Sequence, residues 1–240
     1  MEIIFLFNNN VQSYCHFLKI NSLIILIKMF HIDFSSIDSY DNNSESFLIL
    51  SETEKLRARK FLKTQDSLRF KLGRLLVRNR LSKELGLTPE NVPILINRLG
   101  KPICSIRGSL NFSISHAGSL VVVVWSDLPI GVDIEPLNTL LDPNLDNLIF
   151  NSSEINSIIE IQIDNNYHRL MLFVAKEAVL KCLGLGFSVD PKLIELKEFV
   201  EPCKIFSASY LDKLIFVKIL NLPSGYLLGV ASHSFDTLNF

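Results

Sequence analysis

Short runs in which apolar and polar residues alternate cover much of this chain, and two longer stretches repeat apolar residues at helical spacing. "MFHIDFSSID", from Met29, alternates as a strand does. Between Leu50 and Gly86 the period changes. Ser51 followed by Glu54 reads as a capping box, Leu56, Phe61, Leu62, Leu68, Leu72, Leu75 and Leu76 fall at helical intervals, and Gly86 closes the helix. "PILINRLGKPIC" predicts a strand turning at Gly100. "LNFSISHAGSLVVVVWSDLPIGVDIEP" predicts three successive strands, with turns near His116–Ser119 and Ser126–Pro129, the last closed by Pro136. The second half repeats the outline. "LLDPNLDNLIFNSSEINSIIEIQ" is helical with a break around Phe150–Ser153, and "YHRLMLFVAKEAVLKCLG" is a longer helix ending at Gly184. Strand signals follow in "LIELKEF", "KIFSASYLDKLIFVKIL" and "GYLLGVASHS".

Each half therefore offers helix plus antiparallel strands, which predicts an α+β fold of two comparable lobes, residues 29–136 and 137–240. Residues 1–28 are expected to lie outside the core. "SLIILIKMF" is strongly apolar, but Lys19, Asn21 and Lys28 interrupt its surroundings, leaving it short of the roughly 20 residues a membrane span needs. No small-residue cleavage site follows, so it reads as an appendage or a first strand. A chain starting at Met29 is expected to fold and act.

Composition narrows the function. At 240 residues with 48% hydrophobic and 20% charged residues, the chain can bury a real core. A net charge of −1 argues against gripping nucleic acid through its phosphates. Cys15, Cys104, Cys182 and Cys203 lie far apart with no CxxC pair, supporting neither a zinc site nor a disulfide framework, so a reducing cytoplasm is expected.

Chemistry concentrates in two segments. In "IGVDIEP" (Ile130–Pro136), period two puts Val132 and Ile134 on one face and Asp133 and Glu135 together on the other. That acidic face is either wet or shares a cation. "FVAKEAVLK" carries Lys176, Glu177 and Lys181, and Glu177 and Lys181 share a helix face. Its neighbours are apolar almost all round, so these charges need partners. Asp133, Glu135 and Glu177 together would offer a hard cation such as Mg²⁺ three carboxylates, with Lys181 left for a phosphate oxygen. Arg57, Arg59, Lys101, Ser115 and His116 are weaker phosphate-binding candidates, and adjacent Ser115 and His116 point to opposite strand faces. There is no nucleophile elbow, Walker loop or dinucleotide fingerprint.

Taken in order, "LGRLLVR", "GKP", "FSISHAG", "GVDIEP" and "FVAKEAVLK" resemble the 4′-phosphopantetheinyl transferases of the large two-lobed class, the surfactin-synthetase-activating type. The likeness runs from about Met29 to about Ser234. It implies a monomer of two similar lobes, each a long helix on a small antiparallel sheet, with coenzyme A in the cleft between them. The implied reaction moves the phosphopantetheine arm of CoA to a serine of an apo acyl or peptidyl carrier protein. Matched residue by residue, Asp133, Glu135 and Glu177 take the Mg²⁺ positions and Glu177 is the base for the carrier serine. Lys181, Ser115 and His116 fall at CoA phosphate contacts, and Lys101, Arg57 and Lys176 at basic CoA positions. The family's tryptophan before its lysine–glutamate pair is Phe173 here. Glu54 and Phe70 replace a lysine and a small polar residue, which bears on the adenine and 3′-phosphate end. Carrier contact is expected on an apolar and basic surface around Phe150–Ser157 and the start of the Tyr167 helix. A Mg²⁺ nuclease is the competing enzyme class, disfavoured because Pro136 and Leu137 follow Glu135 where its motif wants a lysine. A non-catalytic carrier-binding module is the third, disfavoured by the intact acidic triad.

Overall fold

The computed structural model describes residues 4–8, 11–15, 17–20, 23–26, 30–161, 165–200 and 205–238, with backbone alone before residue 30 and at 187 and 198–200. Of residues 1–28, expected to be an appendage or a first strand, only the backbone is described, in four short strands, two of which join the main sheet; their side chains lie outside the described residues. The chain divides into two compact units: Met1–Asn97 with Pro102–Asp127, and Arg98–Lys101 with Leu128–Phe240.

The first unit begins with strands β1 (Ile4–Asn8), β2 (Val11–Cys15), β3 (Phe17–Ile20), β4 (Leu23–Leu26) and β5 (His31–Ser36). Helices α1 (Glu52–Ala58) and α2 (Thr64–Leu85) follow, then β6 (Ile94–Ile96), β7 (Pro102–Cys104), β8 (Asn111–Ala117) and β9 (Leu120–Ser126). Its main sheet has the order β1-β2-β5-β9-β8, all antiparallel. Leu68, Leu72 and Leu75 of α2 pack with Val121, Ile37, Phe47 and Leu50, while Val77 and Leu81 pack with Phe112, Val123 and Trp125. Gly86, with φ +66, provides the left-handed C-cap that ends α2.

One continuous helix from Ser51 to Gly86 is not what forms. The expected capping box is present, with the Glu54 amide donating to Ser51 Oγ and the Ser51 amide to Glu54 Oε2. However, α1 stops at Ala58, where Ser67 Oγ donates to the Ala58 carbonyl at 2.9 Å across the break. The inward stripe of α1 is Glu54 and Ala58, one turn apart, so Leu56 faces away. Leu56, Phe61 and Leu62 stay exposed, although they share the helical spacing of the buried leucines of α2. Two helices on different axes give the same periodic count as one.

The second unit holds β10 (Ile130–Pro136), α3 (Asp146–Ile149), α4 (Ser152–Glu160), α5 (Asn165–Leu183), β11 (Glu195–Val200), β12 (Ile205–Tyr210), β13 (Lys213–Leu222), β14 (Tyr226–Ser232) and α6 (Phe235–Leu238). Its sheet runs β10-β14-β13-β12-β11. The predicted run "KIFSASYLDKLIFVKIL" splits into β12 and β13 at Leu211, whose φ of +53 makes the turn. The core joins Leu170, Val174, Ala178 and Val179 of α5 to Ile215, Val217, Ile219 and Leu227.

The boundary expected at Pro136 moves to Asp127. β9 already lies between β5 and β8 and offers β10 no free edge. β10 pairs instead with β14 from Ile130↔Ser232 to Pro136↔Tyr226. "IGVDIEP" is thus the first strand of the second unit. Among the described residues no helix is long and apolar enough to cross a membrane.

Candidate active site

The site grows from how closely α5 lies on β10 and β14. A Cβ on Gly131 would stand 2.0 Å from the Ala178 carbonyl oxygen and 2.3 Å from the Cys182 amide nitrogen. A Cβ on Gly229 would meet the Val174 side chain at 2.8 Å. Gly229 is the registered partner of Asp133, and Gly131 lies two residues before it on the same strand face. The two glycines therefore let the 174–178–182 ridge of α5 lie nearly on the backbone. Asp133 and Glu135 share that face, so it is covered by a helix rather than wet.

Glu177 and Lys181 sit one residue before Ala178 and Cys182, which places them alongside this contact. Lys181 Nζ donates to Asp133 Oδ1 at 2.6 Å, and Asp133 is only 4% exposed. Burial, with the Asp133 charge beside it, pushes the Glu135 carboxyl up to about 7; Lys181 pulls the other way and Glu177 adds to the rise. Glu177 is raised as well, chiefly by burial, with Lys181 opposing and Asp133 reinforcing. Asp133, Glu135, Glu177 and Lys181 thus feel one another's charge. Among the described residues no three His, Cys, Asp or Glu side chains converge closely enough to hold a metal ion. The donor chemistry is nonetheless that of a hard divalent cation: all three are carboxylates within reach of one another's charge, and two of them are raised, so a further positive charge is favoured.

The remaining candidates are placed as follows. Lys101 Nζ donates to the Ile130 and Lys181 carbonyls at 3.2 and 2.6 Å, pinning the C-terminal turn of α5 to the start of β10. Burial lowers its affinity for a proton. Ser115 and His116 lie on β8 of the first unit, the serine buried and the histidine exposed, on opposite faces as the alternation predicts. Arg57 is exposed on α1, with its guanidinium 5.2 Å from the centre of the Phe70 ring. Arg74 of α2, 5% exposed, stands at the same distance from that ring.

Lys176 is a correction. Rather than reaching a coenzyme, it is 1% exposed, paired with Glu154 at 2.8 Å and donating to the Pro191 and Ile194 carbonyls. One helical step is about 100°, so the neighbour of Glu177 on α5 points into the unit's interior. Around Phe150–Ser157, where carrier contact is expected, Phe150 and Glu154 are buried, Leu148 and Ile159 on either side stay exposed, and no Lys or Arg occurs between Leu137 and His168.

Sequence reasoning missed the two glycines under α5, since a strand glycine signals a close approach without saying by what. Cys182 is an ordinary buried thiol, donating to the Pro129 carbonyl and pushed by burial up to about 12; Cys104 is also free. The side chains of Cys15 and Cys203 lie outside the described residues.

Comparison with known proteins agrees with this division. Residues 39–127 match the family model "4′-phosphopantetheinyl transferase, N-terminal", and residues 129–227 match "4′-phosphopantetheinyl transferase superfamily". Relatives include the 4′-phosphopantetheinyl transferase Sfp of Bacillus subtilis strain 168, 26% identical over 210 residues, covering 81% of this chain and 87% of that protein. A 4′-phosphopantetheinyl transferase of Bacillus subtilis is 30% identical over 173 residues, covering 65% and 75%. The transferase HetI of Nostoc sp. PCC 7120 is 31% identical over 167 residues, covering 66% and 70%. With both of its units matched in order and relatives at this identity spanning most of their own length, the chain belongs to the 4′-phosphopantetheinyl transferase family, of the Sfp type.

Proposed function

We propose that this chain transfers the 4′-phosphopantetheine arm of coenzyme A to a serine hydroxyl of an apo acyl or peptidyl carrier protein, releasing adenosine 3′,5′-bisphosphate. The observation that carries the reading is the coupled set Asp133, Glu135, Glu177 and Lys181 on β10 and α5. In this reading Asp133, Glu135 and Glu177 hold Mg²⁺, which would neutralise charge on the CoA pyrophosphate. Lys181 exchanges Asp133 for a phosphate oxygen, a modest movement for a flexible ammonium. Glu177 accepts the serine proton, and its raised proton affinity suits a base working near neutral pH. Ser115, His116 and Arg57 hold CoA phosphates from the first unit, and Lys101 keeps the α5 turn in place. The protein acts as a monomer in the cytoplasm.

The test is direct. Incubated with CoA, Mg²⁺ and an apo acyl carrier protein, the chain should add the mass of one phosphopantetheine arm to the carrier. Absence of that gain with several apo carriers, from fatty-acid, polyketide and peptide synthetases, overturns the reading.

A further inference from the structure

The turn between β6 and β7 is built to aim one side chain. Gly100, with φ +88, makes its left-handed step, and Pro102 disfavours helical backbone at the half-buried Lys101 before it. Residues 98–101 group with the second unit, although β6 and β7 on either side belong to the first. A Cβ on Gly186 would stand 3.9 Å from the Leu99 carbonyl oxygen, so this turn lies against the chain leaving α5. α5 itself ends in a pair of bonds around Gly184, whose φ is +71. The Gly184 amide donates to the Lys181 carbonyl at 3.2 Å, and the Leu185 amide to the Leu180 carbonyl at 3.0 Å. The Lys101 ammonium joins this end, where the helix dipole is negative.

A closed circuit results. Lys101 Nζ donates to the Lys181 carbonyl at 2.6 Å and to the Ile130 carbonyl at 3.2 Å. From the Lys181 backbone the path runs along its own side chain to Asp133 Oδ1 at 2.6 Å. From Asp133 it returns three residues along β10 to Ile130.

We infer that Lys101 is a positioning residue of the transfer: it fixes where Lys181 and Asp133 stand relative to one another, and it acts through them rather than by touching coenzyme A. The inference rests on the transfer reading, and it departs from the basic CoA contact that the resemblance implies for Lys101. Lys181 lies in the last turn of α5, the part of a helix whose carbonyls lack intrahelical partners and which frays first. A flexible ammonium stem is placed only as well as the backbone that carries it, so a tie on that backbone governs the reach of Lys181. An ammonium has three N–H bonds, and Lys101 commits two of them to backbone carbonyls of α5 and β10. Such charge-assisted bonds are about twice as strong as neutral ones, so a phosphate would have to compete with both.

The experiment measures kcat and the KM for CoA, at saturating apo carrier protein, in wild type, Lys101→Met, Lys101→Gln, Lys101→Arg, Lys181→Ala and the double variant Lys101→Met with Lys181→Ala. Methionine keeps an unbranched stem and removes the ammonium, and glutamine keeps a polar end one atom shorter; circular dichroism checks that each variant folds. Both should lower kcat about 10- to 100-fold, as misplacement of a reacting group does, with the KM for CoA within about twofold of wild type. Lys101→Arg, which can still donate to both carbonyls, should recover most of the loss. In the Lys181→Ala background, Lys101→Met should cost no more than about threefold further, because the side chain it positions is already gone. Amide hydrogen exchange over residues 180–185 should quicken in Lys101→Met, a readout that needs no turnover. A raised KM for CoA with unchanged kcat in Lys101→Met and Lys101→Gln would make Lys101 a coenzyme contact, overturning the inference and leaving the transferase reading standing. Fully additive losses in the double variant would show that Lys101 acts independently of Lys181 and would overturn it too. Absence of transfer by wild type to any apo carrier overturns both readings.

Discussion

In the first unit Glu54 accepts from the Ser51 amide at 3.0 Å, closing the capping box of α1, and pairs with Arg78 of α2 at 2.8 Å. Arg78 also donates to the carbonyls of Pro89, Glu90 and Val92. In the second unit Glu154 accepts from the Asn151 amide at 2.9 Å, closing the capping box of α4, and pairs with Lys176 of α5 at 2.8 Å. Lys176 likewise donates to the carbonyls of Pro191 and Ile194. Both units tie a short helix, a long helix and the proline-started turn that follows through one buried glutamate and one buried cation. Each also buries an aspartate on a strand of its main sheet. Asp33 of β5 accepts from Trp125 Nε1 at 2.8 Å, whereas Asp133 of β10 accepts from Lys181. Two residues beyond the aspartate stands Ser35 in one unit and Glu135 in the other; one residue beyond the cation stands Asn79 or Glu177. The scaffold is common to both units, and the second carries two acids, Glu135 and Glu177, where the first has Ser35 and Asn79.

The comparison breaks most visibly at its shared clamp. Glu54→Ala and Glu154→Ala should each destabilise the protein by about 3–5 kcal/mol, because each strands a cation that is nearly all buried. Urea unfolding gives the value. Replacing both members of the second pair, Glu154→Leu with Lys176→Met, should recover most of the loss, since no buried charge is then left unpaired. A double variant no better than Glu154→Ala would show that Lys176 matters through its bonds to the Pro191 and Ile194 carbonyls rather than through Glu154.

At the positions where the units differ, the effect should fall on rate. Glu177→Gln and Asp133→Ala should each lower transfer at least about 100-fold, or about 2.7 kcal/mol. Asn79→Ala and Ser35→Ala, at the matching positions of the first unit, should leave the rate within about twofold. Near-wild-type turnover in Glu177→Gln would remove it from the chemistry.

Glycine gives a finer comparison. Gly131→Ala sets a Cβ against backbone atoms of Ala178 and Cys182, so α5 must lift; a loss of about 1–3 kcal/mol is expected, with transfer reduced as Glu177 and Lys181 leave Asp133. Gly73→Ala, inside α2, meets only the tip of the Ile114 side chain at 3.0 Å and replaces a poor helix residue with the best one. Its melting temperature should stay close to wild type. Equal losses at the two sites would deny α5 its special closeness to the sheet.

Much of this was legible in the chain because it is written locally. The alternation of "IGVDIEP", the spacing of Glu177 and Lys181, the Ser51–Glu54 box and the break near Phe150 each depend on a few neighbouring residues. The two clamps were not legible, although their halves were. Glu54 and Arg78 lie 24 residues apart, one clamp uses arginine and the other lysine, and one cap is serine and the other asparagine. Similar chemistry in different letters leaves no repeat to detect. Lys176 was misplaced for a related reason: adjacency to Glu177 in sequence means divergence on a helix. The assignment of β10 to the second unit depended on which strand edges were free, and that belongs to the whole sheet.

The smallest effect bears on why the second unit tolerates its acids. Glu135 binds its proton more tightly folded, at about 7, than at the ordinary 4.5, because burial and Asp133 penalise its charge. A raised carboxyl contributes stability that is fully present below pH 4.5 and is lost as pH rises through 7. Glu135→Gln should therefore match wild type near pH 4.5 and melt higher than wild type at pH 8. Asp33, raised chiefly by burial, predicts the same sign for Asp33→Asn. Added Mg²⁺ should separate the two. At pH 8 it should raise the wild-type melting temperature and that of Asp33→Asn alike, and raise that of Glu135→Gln much less, since only Glu135 belongs to a carboxylate set that gains from a cation. An equal Mg²⁺ response in all three proteins would mean that the crowding of acids around Glu135 serves no ion, and the difference between the two units would then need another explanation.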